Sequence, residues 1–102
     1  MENGNNKKLD QMVHEEMYLC FGKTEQLLGD LYKMIKSNPE NDELRMIFQN
    51  LLSIAKSQIR VNAAVSDSYF SGEIKKYALE KARRKEQELF STKLPEKNLR
   101  SK

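Results

Sequence analysis

The only histidine of this 102-residue chain, His14, opens the run His14-Glu15-Glu16-Met17-Tyr18, with Cys20 six positions on from it. A histidine followed by a glutamate on a helix begins a zinc-hydrolase motif. That motif needs a second histidine four residues on, so that two ring nitrogens share one face. Tyr18 stands there instead. Cys20 has no second cysteine for a structural zinc site and does not share a helical face with His14, so no nucleophile–base pair forms within the segment. It is expected as a small core residue. Gly22 and Gly29 fall in a helical pattern, and Lys23 has no phosphate-loop arrangement around it. The acidic residues lack the spacing of a calcium loop. The residue types therefore argue against an enzyme, a metal and a cofactor.

Charge is more informative. Residues 75–102 hold ten Lys and Arg against four Glu, a net +6, whereas residues 1–74 hold eight against eleven, a net −3. A basic last third suits phosphates or an acidic protein surface. Lys81, Arg83, Arg84 and Lys85 are the candidates for nucleic-acid contact. The cations scatter around the helix and are interleaved with Glu80, Glu86 and Glu88. A nucleic-acid reader gathers its cations on one face, so a solvated, salt-bridged helix is the first expectation, and of the two binding roles a protein partner is preferred over nucleic acid.

The elements that position these residues are helical. Apolar residues are 38% of the chain and charged residues 32%, so each helix buries a stripe and wets the rest. The best stripe runs from Leu44 to Val65. Leu44, Ile47, Phe48, Leu51, Leu52, Ile54, Ala55, Ile59, Val61 and Val65 occupy about half of its circumference. Asn38 suits a cap and Pro39 the first helical position. Gln58 and Asn62 interrupt the stripe, where it is expected to fray into solvent, the alternative being a polar contact to a neighbouring helix or a second protein.

Ahead of it, Leu9, Met12, Val13, Met17, Cys20, Leu27, Leu31 and Met34 mark one side of a first helix, widened by Phe21, Leu28, Tyr32 and Ile35. Together they span about 220°, more than two helices cover. Phe21, Leu28, Tyr32 and Ile35 are accordingly the candidate partner-binding or self-association face, joined by Lys81 and Lys85 on helix three. Gly22 is a candidate kink, with Thr24 capping a restarted helix. Residues 37–42 read as a turn and residues 66–72 as a second break, with Tyr69 and Phe70 closing over the core.

The expectation is an all-α three-helix bundle, an antiparallel hairpin followed by a basic third helix. Residues 1–7 are expected to be disordered, 8–90 to form one domain, and 91–102 to be a flexible basic tail. No run of about 18 apolar residues exists for a membrane span, and the N-terminus has no apolar signal core. One cysteine and no Asn-X-Ser/Thr acceptor fit a cytoplasmic setting. The function these features favour is a non-enzymatic interaction module: an adaptor, regulator, inhibitor or secretion-type chaperone, able to form homo-oligomers. A nucleic-acid-binding protein is the alternative.

Overall fold

A computed structural model describes residues 2–97, and side chains from residue 8 onward. Three helices follow one another: α1 (Glu2–Ser37), α2 (Asp42–Tyr69) and α3 (Gly72–Ser91). The molecule is a rod of 67 × 18 × 15 Å. Helix α2 packs on both neighbours, while α1 and α3 touch least. The all-α bundle expected from the periodicity is what the chain forms.

Several boundaries differ from the sequence expectation. Helical backbone begins at Glu2, so residues 2–7 are helical rather than disordered; Met1 lies outside the described residues. Helix α1 runs without a break through Gly22, and Thr24 caps nothing. A methyl group placed on Gly22 or Gly29 would meet no atom within 4 Å, so neither glycine marks a close approach of two backbones.

At the first turn Asn38 ends α1 instead of starting α2. Its Nδ2 donates to the Met34 carbonyl at 2.9 Å, and its backbone N–H is bonded to the carbonyls of Met34 and Ile35. Pro39 then falls in the turn. The cap of α2 is Asn41, whose Oδ1 accepts from the Leu44 N–H at 3.0 Å. Asp42 and Glu43 follow in the first turn, beside the positive end of the helix dipole.

The second break is narrower than the composition of residues 66–72 implies. Helix α2 continues to Tyr69, and only Phe70 and Ser71 are non-helical. Phe70 turns inward and is buried, whereas Tyr69 points to solvent. The Ser71 N–H donates to Asp10 Oδ2 at 3.2 Å, which ties the turn to the start of α1. Gly72 has φ +66°, a left-handed conformation that a side chain would strain.

The core contains Phe21, Leu28, Leu31 and Ile35 from α1, Phe48, Leu52, Ala55 and Ile59 from α2, and Ala82 and Leu89 from α3. Ala55, Ala78 and Ala82 are buried where larger residues would hold the helices apart. After α3 the chain does not fly free. Leu94 packs on the core, Arg45 Nη1 donates to the Pro95 carbonyl at 2.8 Å, and Lys97 pairs with Asp42 at 3.1 Å. Residues 92–97 are therefore a docked strap where a flexible tail was expected. Residues 98–102 lie outside the described region.

Candidate functional site

The structure inverts the expected faces of α1. Phe21 and Ile35 are 0% exposed and Leu28 is 7% exposed. Tyr32 packs against the core, its ring 6.2 Å from that of Phe48. Phe21, Leu28 and Ile35 are the inner side of α1 and offer no partner-binding face, while Tyr32 is half-buried beside them. The expectation failed because a 220° stripe does not say which of its edges the third helix covers; α3 settles on the Phe21 edge.

Contacts between α3 and the hairpin locate that edge. Lys85 Nζ reaches Glu25 Oε2 at 2.8 Å. Lys81 Nζ stands 4.2 Å from the centroid of the Tyr18 ring. From α2, Lys56 lies over Phe90 at 4.5 Å and Arg60 meets Glu86 at 3.3 Å. Lys81 and Lys85 are thus held against α1 rather than presented to a partner. Arg83 pairs with Glu80 on the same helix, and Arg83 and Arg84 are exposed. The four cations considered for nucleic acid do not form one surface.

The opposite edges of the hairpin are apolar and open. On α1, Val13, Cys20, Leu27 and Met34 recur every seven residues, and all are exposed, with Leu27 at 48%. On α2, Ile47, Ile54 and Val61 recur at the same interval, with Ile54 at 58%. Cys20 is therefore a surface residue, correcting its expected place in the core. A seven-residue recurrence keeps each row on one side of a helix along its length. Between the two ridges lies a floor of half-buried Met17, Thr24, Leu44, Leu51, Gln58 and Val65. Leu9, Val13, Val65 and Tyr69 border an open cleft at one end.

The register of this face is visible directly, because Gln58 Nε2 donates to Cys20 Sγ across it at 3.2 Å. With the helices antiparallel, Leu27 is then level with Leu51, Met34 with Leu44 and Val13 with Val65. The signal that could have found the ridges is the seven-residue spacing itself, at the margin of stripes too wide to bury.

Behind the face a polar layer crosses the bundle. Asn62 is buried, not solvent-facing as the interrupted stripe implied. Among the described residues, its Nδ2, the Tyr18 hydroxyl, Gln58 Oε1 and both His14 ring nitrogens have no hydrogen-bond partner. The His14 ring lies 4.8 Å from that of Tyr18, tilted by 44°, and meets that of Tyr77 edge to face at 5.5 Å. Burial holds the His14 pKa below the ordinary 6.5, and the neighbouring Lys81 charge acts in the same direction against a weaker opposing effect of Glu15. Burial pushes the Tyr18 phenol upward. A neutral histidine among aromatic rings has no nucleophile or carboxylate bonded to it, so the layer offers no assembled proton relay.

Among the described residues no three His, Cys, Asp or Glu side chains come together to hold a metal ion. No helix there is long and apolar enough to cross a membrane. No protein-family model matches the chain, and no curated protein or solved structure shows significant similarity to it.

Proposed function

We propose that this protein is a non-enzymatic interaction module, in the manner of an adaptor, regulator, inhibitor or secretion-type chaperone, and that it works through the open α1–α2 face. The observation that supports this reading is the pair of exposed ridges: Val13, Cys20, Leu27 and Met34 beside Ile47, Ile54 and Val61. Single exposed hydrophobes are ordinary on protein surfaces, but contiguous rows of them mark places where another surface packs. A partner helix laid between two such ridges is a familiar mode of recognition.

Affinity capture from the native cell, with wild type and Ile54→Lys compared side by side, tests the reading. The expected result is a protein retained by wild type and lost by the variant, whose helicity is unchanged. Identical captured sets would overturn it.

A further inference from the structure

We propose that the open α1–α2 face is closed by a second copy of this chain, the two copies related by a twofold axis parallel to the helices. The inference rests on the interaction-module reading and names its partner. Under such an axis the α1 ridge of each copy lies against the α2 ridge of the other, and no residue changes its height along the bundle.

The heights make the ridges self-complementary. The Cys20–Gln58 contact sets α1 residues level with positions 44, 51, 58 and 65 of α2. The α2 ridge stands at 47, 54 and 61, three or four residues away from each of those levels, or roughly 4.5–6 Å along the axis. Side chains of one ridge therefore rise opposite the gaps of the other, the arrangement that knobs-into-holes packing requires. All four neighbouring helix pairs in the resulting core run antiparallel.

Charge favours the same occupant. The only charge on α2 between Met46 and Ser57 is Lys56, and it is turned to Phe90 on the α3 side. The α1 ridge is bordered by Glu16, Lys23 and Asp30, of mixed sign. In the twofold pair these charges meet the uncharged side of α2 and no like charges oppose one another. A strongly acidic or basic partner would find no field to match. From Val13 to Met34 the α1 ridge runs for about 30 Å along its helix, a length over which two copies can bury a continuous seam.

Sedimentation equilibrium from about 1 to about 100 μM, a span that suits an interface of this size, tests the proposal on wild type, Leu27→Glu, Ile54→Lys and an equimolar mixture of the two variants. Both residues are half exposed, so folding is expected to survive, and far-ultraviolet dichroism checks it. Wild type should show twice the chain mass of 11.9 kDa. Each variant alone should lose at least about tenfold in self-association. The mixture should recover a dimer, because a glutamate on one α1 ridge then faces a lysine on the other copy's α2 ridge. Alkylation of Cys20 gives a readout independent of the variants, and its rate should fall as wild-type concentration rises. A monomeric wild type, a dimer indifferent to both variants, or variants that the mixture does not rescue would each overturn the proposal. A monomer that still loses a captured protein on Ile54→Lys overturns only the choice of partner. A chain unaffected by Ile54→Lys in every assay overturns the module reading as well.

Discussion

Gln58 and Cys20 meet across the open face of the hairpin, Nε2 to Sγ at 3.2 Å. The contact lies in the middle of two long antiparallel helices and sits beside the buried amide of Asn62. An apolar seam alone tolerates sliding by a heptad, whereas polar groups in the seam penalise a slip that leaves them without neighbours. The unpartnered groups of the Tyr18–Asn62 layer are a cost of the present register rather than a source of it.

The inner and outer sides of α2 should respond differently to truncation. Leu52 is buried, while Ile54, two residues on, is mostly exposed. Leu52→Ala should destabilise the fold by about 2–5 kcal/mol, as a cavity in a packed core does. Ile54→Ala should cost within about 0.5 kcal/mol of nothing at protein concentrations too low for association. Urea denaturation of both variants measures the contrast; equal costs would mean that the two sides of α2 are not buried differently.

Gly22 and Gly29 are helical with open space where a β-carbon would sit. Gly22→Ala and Gly29→Ala should each stabilise the protein by roughly 0.5–1 kcal/mol, through helix propensity and reduced freedom of the unfolded chain. A rise in the denaturation midpoint checks this. A loss of stability at either position would reveal a neighbour packed closely on it.

His14 makes stability depend on pH. Its folded-state pKa lies below the 6.5 of the unfolded chain, so unfolding takes up a proton in that window. The neutral ring contributes its full stability above about 6.5, and that contribution is lost as pH falls from there toward the folded-state value. His14→Gln should flatten the slope of stability between pH 5 and pH 7 relative to wild type, values that bracket the ordinary histidine pKa of about 6.5. Parallel slopes in chemical denaturation series would show that the ring titrates normally.

The strap after α3 depends on Arg45. One guanidinium nitrogen donates both to the Pro39 carbonyl at 3.1 Å and to the Pro95 carbonyl at 2.8 Å, joining the first turn to the end of the described chain. Arg45→Ala should release residues 92–97, so that trypsin cleaves after Lys93 several times faster while the helical core resists. Unchanged cleavage would show that Leu94 and the Lys97–Asp42 pair hold the strap without it.

The basic third of the chain should bind nucleic acid poorly. Lys85 and Lys81 are occupied by Glu25 and Tyr18, and Arg83 by Glu80. Any binding to DNA or RNA should be weaker than micromolar near physiological salt and fade as salt rises, the pattern of nonspecific phosphate contact. Submicromolar binding abolished by replacing Arg83, Arg84 and Lys85 together in a gel-shift titration would reverse this expectation.

Helix count, the turn at Pro39 and the buried centre of α2 at Phe48, Leu52, Ala55 and Ile59 could be read from the chain, because apolar spacing and a proline act locally; the cap could not, since Asn41 rather than Asn38 starts α2. The two residue rows that form the open face were also present in the sequence, with Val13, Cys20, Leu27 and Met34 spaced by seven. Their exposure was not legible. Phe21, Leu28 and Ile35 are equally apolar and lie on the adjoining edge of the same helix, so composition cannot say which edge faces inward. Only the docking of α3 decides it, by placing Lys85 on Glu25 and Lys81 over Tyr18. The burial of Asn62 and the docking of Leu94 and Pro95 depend in the same way on side chains far apart in the chain. Local periodicity determines that a helix has an apolar side; which part of that side is covered is settled by the packing of the other helices.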